Sequence, residues 1–280
     1  MIKENAYAKL NLSLKIIGKM DNGFHELKSV MVPIVDLYDE LYFEENDTFE
    51  FNLIDNNIED NSILKAAKAF QEKYKTKGAN IRLVKRIPLE AGLAGGSADS
   101  SATLRGLNRL FNLNIPLIEL EKLAQSLGSD NVFCLHNKAA VCTGRGEKME
   151  FIDSNFSFDV LLVKPNFGLS TKDVFSHLNL EQNKIDLTEN VIESLIKNDI
   201  KMLDENIFND LLNPAIIVKP ELATIINKLK PADVNVHMSG SGSTLYIVSY
   251  NEKVIERIKN NVEYGYLNKH VIKNNVNGWL

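Results

Sequence analysis

The sequence predicts a mixed α/β (α+β) fold in which helices pack on a sheet, and three observations carry that expectation. A stretch near the N-terminus alternates apolar and polar residues with strand periodicity, a glycine-rich loop opens a helix, and the second half interleaves short strands with amphipathic helices. The 280 residues suffice for one large domain or two smaller ones with buried cores. A composition of 44% apolar and 25% charged residues is ordinary for a folded protein and excludes disordered or fibrous classes.

From Ala8 to Ile17, Leu10, Leu12, Leu14 and Ile16 share one face, and Lys9, Asn11, Ser13 and Lys15 the other. That pattern predicts a half-buried strand with a solvated polar side. Asp21-Asn22-Gly23 is turn chemistry, and Leu41–Phe43 and Phe49–Ile54 read as further strands. Asp60 or Asn61 can cap a helix with Ile63, Leu64, Ala67 and Phe70 on its apolar face, followed by a strand with Ile81, Leu83 and Ile87. The run Pro88-Leu89-Glu90-Ala91-Gly92-Leu93-Ala94-Gly95-Gly96-Ser97 leads into a helix in which Leu104, Leu107, Leu110 and Phe111 keep helical spacing. Pro116 begins another helix that ends at Leu127, Gly128 suits the left-handed position beyond it, and Asp130 comes next. A strand at Ala139–Thr143, a polar turn from Gly144 to Lys148 and a crossing at Ile152–Phe158 divide the chain into domains 1–152 and 153–280. Beyond the crossing, strands at Val160–Val163, Val234–Met238, Leu245–Ser249 and Tyr266–Ile272 alternate with helices at Glu189–Ile196, Glu221–Leu229 and Lys253–Ile258.

The charge balance argues against nucleic acid as a partner. There are 32 Lys+Arg against 37 Asp+Glu, a net charge of −5, and the basic residues are scattered among acids. No apolar run approaches a membrane span and the N-terminus lacks signal-peptide layout, so a soluble, cytoplasmic protein with no membrane partner is expected. Cys134 and Cys142 make no disulfide framework and read as reduced. The five histidines form no ligand cluster, so no metal site built by the protein alone is predicted.

The chemistry concentrates in the glycine-rich loop. Its small residues let a bulky group approach the start of a helix, where free N–H groups and the helix dipole favour an anion such as phosphate. The motifs Gly-x-x-x-x-Gly-Lys-Ser/Thr and Gly-x-Gly-x-x-Gly are absent, so an ATP loop here is of another kind. A second such stretch, Ser239-Gly240-Ser241-Gly242-Ser243-Thr244, gains meaning beside the first, since two loops can grip opposite sides of a polyphosphate. Taken singly, each feature has an ordinary structural reading: a tight turn, a flexible hairpin, a solvated Lys9, a turn residue at Asp130.

Three segments together, in order, resemble the GHMP kinase superfamily: Ala8-Lys9-Leu10-Asn11-Leu12, Pro88 through Ala102, and Ser239 through Leu245. Asp21-Asn22-Gly23-Phe24-His25-Glu26, Leu127-Gly128-Ser129-Asp130 and the length are similar to the branch that acts on a cytidine-diphosphate-linked methylerythritol. The resemblance spans nearly the whole chain. It implies the two-domain GHMP kinase architecture: a ribosomal S5 domain 2-like ATP-binding domain, a ferredoxin-like C-terminal substrate domain, and a site in the cleft between them. The implied reaction moves the γ-phosphate of ATP, with Mg²⁺ carried on the nucleotide, to the 2-hydroxyl of this small-molecule cytidine-linked substrate, by a monomer or homodimer.

By that resemblance Lys9 and Asp130 match the catalytic pair and Asn11 helps hold the substrate. Pro88, Leu89, Glu90, Ala91, Gly92, Leu93, Ala94, Gly95, Gly96, Ser97 and Ala98 match the ATP loop, and Asn61 falls where the family contacts the adenine end. Phe24 and His25 match the pair that receives cytosine, with Phe175 as the facing aromatic and Gly240 and Ser241 completing the substrate site. Ser97 and Asp99 are candidates for the metal's surroundings. Three prolines of the pattern are missing: Tyr7 stands before Ala8-Lys9, Asn131-Val132 replaces Val-Pro after the aspartate, and Ser243 replaces a proline in the third motif. Proline fixes backbone direction, so these losses bear on loop geometry and remove no reacting group. The alternatives are another small-alcohol kinase of the homoserine or mevalonate class and a non-catalytic nucleotide- or metabolite-binding relative; retention of both Lys9 and Asp130 favours an enzyme.

Overall fold

The computed structural model describes residues 1–21, 23–48, 52–53, 61–180, 185–229, 234–248 and 251–276. Its strands are β1 (Ile2–Asn11), β2 (Ser13–Lys19), β3 (His25–Glu45), β4 (Asn52–Leu53), β5 (Ala79–Val84), β6 (Ala140–Gly144), β7 (Lys148–Phe151), β8 (Ser157–Lys164), β9 (Phe208–Asn209), β10 (His237–Met238), β11 (Leu245–Ile247) and β12 (Tyr266–Lys273). Its helices are α1 (Asn61–Tyr74), α2 (Gly95–Leu110), α3 (Leu117–Leu127), α4 (Asn131–His136), α5 (Thr171–Ser176), α6 (Thr188–Lys197), α7 (Ile200–Asn206), α8 (Leu212–Val218), α9 (Glu221–Leu229) and α10 (Glu252–Asn261).

The spine is β3, whose 21 residues serve two edges. One edge pairs antiparallel with β1, from Phe43 opposite Ile2 to Met31 opposite Asn11, and then with β2. The other takes β6 at Leu27–Met31, β12 at Ile34 and β5 at Glu40–Glu45. Through β12 the sheet continues to β8, β11 and β10, and through β2 it reaches β9, so one sheet joins the two halves of the chain. The expected strand Leu41–Phe43 is only the end of β3. Residues 30–34 are buried without interruption, as in a strand covered on both faces, and such a stretch shows no period of two.

The strand expected over Ala8–Ile17 is two strands, β1 and β2, broken at Leu12. Its polar side is not solvated: Lys9 is 3%, Asn11 3%, Ser13 0% and Lys15 8% exposed. A register shift between Tyr7 and Lys9 puts an irregularity beside Lys9, a device that re-aims side chains near functional sites. Gly128 is also corrected: its φ of 172° and ψ of 162° are extended, and its glycine is needed because a Cβ would lie 2.7 Å from Asn131 Oδ1. Of the strand read over Phe49–Ile54, the described part is β4; Asp60 lies outside the described residues. The short helices α4, α5, α7 and α8, six or seven residues each, went unread because fewer than two turns carry little periodicity.

Among the described residues two hydrophobic clusters form the core, and each borrows from the other half. The first gathers residues such as Phe43, Phe70, Leu104 and Phe133 and extends to Phe158, Val160 and Tyr246. The second gathers Leu161, Val163, Leu222, Leu229, Leu245 and Ile258 and takes Leu14 and Ile16 from β2. Helix α2 runs through the first with every residue from Ala98 to Leu107 buried, which explains its small side chains. At its closest approach to β3, a Cβ on Gly106 would lie 2.3 Å from Phe43 Cε2.

Ala normally favours a helix over Gly by about 1 kcal/mol, but overpacking a filled core costs about 1–3 kcal/mol. We therefore expect Gly106→Ala to lower the thermal unfolding midpoint; a raised midpoint would show that Phe43 yields freely.

Candidate active site

A cavity of about 990 Å³ is lined by β1, β2, the 88–97 loop, the residues before α4, helix α5 and the 240–242 turn. Among its walls are Lys9, Asn11, Phe24, His25, Asp130, Phe175, Gly240 and Ser241, together with every residue from Pro88 to Ser97. Two expected site residues stand apart. Ala98 is buried beneath the loop and does not line the cavity. Asn61 is the first residue of α1, and its side chain lies outside the described residues.

The loop's geometry suits an anion. Glu90, Gly92 and Ala94 take positive φ values of 48°, 72° and 58°, a recurring left-handed turn of the kind that gathers N–H groups. No side chain caps α2 at Ala94, so its first N–H groups stay available for a ligand. The carbonyls are engaged elsewhere: Leu93 O accepts from Lys9 N, Ala91 O from Thr244 N, and Gly92 O from Lys9 Nζ and Ser239 Oγ. Gly95 and Gly96 are helical, and Gly95 is small because a Cβ would lie 3.1 Å from Lys85 Nζ.

Lys9 Nζ lies 2.6 Å from Asn11 Oδ1, 3.2 Å from Gly92 O and 3.5 Å from Asp130 Oδ2. Asn11 Nδ2 in turn donates to Ser29 Oγ at 2.9 Å, which fixes the amide's orientation. Asp130 occupies the N-cap of α4 yet makes no capping bond with its side chain, leaving the carboxylate to face Lys9 and the cavity. In such a pair the partly exposed carboxylate can accept a proton, and the buried ammonium beside it can stabilise the anion formed.

The third motif packs directly on the first. A Cβ on Gly92 would lie 2.2 Å from Ser239 O and 2.9 Å from Gly242 O, while one on Gly240 would lie 3.1 Å from Gly92 O. Ser241 Oγ pairs with Thr171 Oγ1 at 2.8 Å, and Asn209 Nδ2 donates to the carbonyls of Met238 and Gly240, both at 2.8 Å.

At the far end of the cavity the ring that contacts Phe175 is His25, with centroids 5.0 Å apart, while the half-exposed Phe24 carries the Arg145 guanidinium 4.8 Å from its centroid. Burial, aided by the Lys19 cation, lowers the pKa of His25, so its imidazole is neutral at pH 7. Sequence reasoning missed Arg145, hidden in a turn read as merely polar, and Lys19, Lys172 and Lys85, which also line the cavity. Lys85 Nζ sits 2.5 Å from Asp39 Oδ2 and 2.7 Å from Asp99 Oδ2; burial would lower its pKa, and the two carboxylates outweigh that and raise it. Asp99 thus pairs with Lys85 under the loop. Among the described residues no group of three His, Cys, Asp or Glu could hold a metal ion, and no helix is long and apolar enough to cross a membrane. Cys134 and Cys142 are free and buried, and burial pushes both thiols up, which keeps them protonated.

Two outcomes test this geometry. Gly92→Ala, strained at a positive φ and blocked by Ser239 O, should part the loops and abolish nucleotide binding in a calorimetric titration; unchanged affinity would show that their contact is dispensable. In an NMR titration His25 should protonate below its usual value of about 6.5, and Lys19→Met should move the midpoint upward. A midpoint that stays put would remove Lys19 from the account.

The family model for the N-terminal domain of GHMP kinases matches residues 61–138, and that for the C-terminal domain matches 191–267. A Staphylococcus aureus (strain bovine RF122 / ET3-1) protein provisionally named 4-diphosphocytidyl-2-C-methyl-D-erythritol kinase is 40% identical over 94% of this chain and 95% of its own. The crystal structure of a 4-(cytidine 5'-diphospho)-2C-methyl-D-erythritol kinase superposes with a TM-score of 0.81 at 26% identity, covering 97% of this chain and 99% of that one. Homoserine kinase from Cytophaga hutchinsonii shares the fold, with a TM-score of 0.73 at 16% identity over 98% of this chain and 95% of its own. With both domain models matched in order and two-fifths identity across nearly its full length, this chain belongs to the GHMP kinases.

Proposed function

We propose that this chain is an ATP-dependent alcohol kinase that phosphorylates the 2-hydroxyl of 4-diphosphocytidyl-2-C-methyl-D-erythritol, a step of the non-mevalonate route to isoprenoid precursors. The observation that carries the reading is the meeting of Lys9 and Asp130 at 3.5 Å in one cavity with the anion-binding loop. The resemblance to relatives named for this reaction supports the choice of substrate.

In this reading residues 1–152 form the ATP-binding domain and 153–280 the substrate domain. The N–H groups of the 88–97 loop and the start of α2 hold the phosphates, and Asn61 lies toward the adenine. The carboxylate of Asp130 takes the proton of the attacking hydroxyl, and Lys9, held by Asn11 and Gly92 O, stabilises both the carboxylate and the developing alkoxide. Transfer is in line and direct. Neutral His25 hydrogen-bonds the edge of the cytosine while Phe24 and Phe175 cover its faces, and Gly240 and Ser241 border the methylerythritol. The few oxygen donors here suit Mg²⁺ held chiefly through the phosphates of ATP, with Ser97 beside it, and the ion would neutralise charge on the transferred group. The enzyme works in the cytoplasm as a monomer or homodimer.

ADP release with Mg-ATP should occur with the cytidine compound and not with its cytidine-free alcohol, homoserine or mevalonate. Turnover on one of those instead would keep the catalytic pair and discard the substrate; silence on all four would sink the kinase reading. Asp130→Ala and Lys9→Ala should each abolish turnover while ATP still binds, whereas His25→Ala and Phe24→Ala should raise KM for the cytidine compound far more than they lower kcat. Near-normal kcat in either of the first two would overturn the mechanism.

A further inference from the structure

The segment that carries Asp130 has Asn131-Val132 where the resemblance to GHMP kinases leads one to expect Val-Pro. Helix α4 is only six residues long and cannot hold its own start rigid. The side chain of Asn131 is nevertheless buried, and both its amide nitrogen and its backbone are tied to the helix that the phosphate loop opens. Asn131 Nδ2 donates to Ser100 Oγ at 2.7 Å, and Ser101 Oγ donates to Asn131 O at 2.7 Å. Asn131 Oδ1 packs against Gly128, whose missing Cβ makes room for it. At the other end of α4, Arg105 Nη1 donates to Cys134 O at 2.8 Å and Leu135 O at 3.2 Å, and its Nη2 to Asn5 O at 2.9 Å on the strand of Lys9. Ser100, Ser101 and Arg105 all belong to α2, so one buried helix fixes both ends of α4 and the loop at its own start.

We propose that Asn131 is a positioning residue for the phosphoryl transfer: with Ser100 and Ser101 it forms a hydrogen-bonded brace that sets the Asp130 carboxylate relative to Lys9 and the phosphate loop, in place of the missing proline. The brace rests on the reading of Asp130 as the base. A buried polar trio is costly unless satisfied, and here its bonds do what a proline's fixed φ would do otherwise, which is to hold the backbone direction just after the base. Displacing a reacting group by about 1 Å can cost about a hundredfold in rate without touching substrate binding.

The test compares kcat and KM of Asn131→Val, Ser100→Ala, the double variant and Asn131→Val/Val132→Pro with wild type, on Mg-ATP and the cytidine compound, with folded enzyme counted by nucleotide titration. Asn131→Val should lower kcat about ten- to a hundredfold with both KM values within about twofold, since only positioning is lost. Ser100→Ala removes the same bond from its other end, so the double variant should be no slower than the slower single. Adding Val132→Pro should restore much of the lost kcat, which a merely structural role would not do. A kcat for Asn131→Val within about twofold of wild type, or a loss matched by the loss of folded enzyme, overturns the brace. If Asn131→Val does not fold, Ser100→Ala decides alone by the same criteria. Wild-type silence would instead overturn the functional reading on which the brace rests, so the two failures are distinguishable.

Discussion

An ammonium taken out of water must be paired, and Lys9 is almost completely buried. Leaving such a charge without its partner costs about 3–5 kcal/mol, so the fold has to deliver acceptors to one point, and the site is built around that requirement. The acceptors come from three separate segments: Asn11 Oδ1 from the same strand, Gly92 O from the 88–97 loop and the Asp130 carboxylate from the start of α4. Satisfying Lys9 therefore brings strand, loop and the Asp130 carboxylate together. The loop's carbonyls are turned toward Lys9 and the third motif, and its N–H groups are left for an incoming anion.

The second half of the chain completes this arrangement by holding Asn11 on both backbone sides. Asn11 N donates to Ser239 Oγ at 3.4 Å, and Tyr246 OH donates to Asn11 O at 2.8 Å. Tyr246 is fully buried on β11, and burial raises its phenol well above the ordinary value, so it remains a donor at any working pH. Since β11 joins the sheet through β8 and β12 to β3, the contact that steadies Asn11 is continuous with the strand pairing that positions β1. Neither half of the chain makes this cavity by itself.

What the sequence made legible follows from what periodicity and motifs can record. The glycine-rich loop stood out because small residues cluster at a helix start, Lys9 because it lies in the first of three ordered motifs, and Asp130 because the separate segment Leu127-Gly128-Ser129-Asp130 marked it. The polar side of Ala8–Ile17 was expected in water because alternation cannot tell a solvated face from one that lines a buried site; Lys9, Asn11, Ser13 and Lys15 look alike either way. Most of β3 was missed because it is covered on both faces and carries Asp36, Asp39 and Glu40 in its course, and Asp39 is explained by partners distant in the chain, the Lys85 ammonium and the backbone N–H groups of Arg86 and Ile87. The missing prolines were legible as departures but not as solutions. Tyr7 instead packs its ring 5.2 Å from that of Tyr38, and Ser243 Oγ donates to Phe167 O at 2.5 Å, contacts between residues far apart in the chain.

Glu90 poses the sharpest conflict between residue type and role, since a carboxylate within an anion-binding loop should repel phosphate. Its direction resolves the conflict. The carboxylate packs against Gly168, where a Cβ would lie 2.1 Å from Glu90 Oε2, and so it needs a glycine on the opposing wall. Lys164, whose Nζ holds Pro165 O at 2.9 Å and Phe167 O at 2.7 Å, stiffens that wall. Burial lowers the pKa of Lys164, and the charge of Glu90 partly offsets the effect. Glu90 borders the cavity, yet its carboxylate oxygen sits at the contact between the two halves. A loop suited to an anion can carry a carboxylate in its own sequence when left-handed turns such as those at Glu90, Gly92 and Ala94 send side chain and amide in different directions.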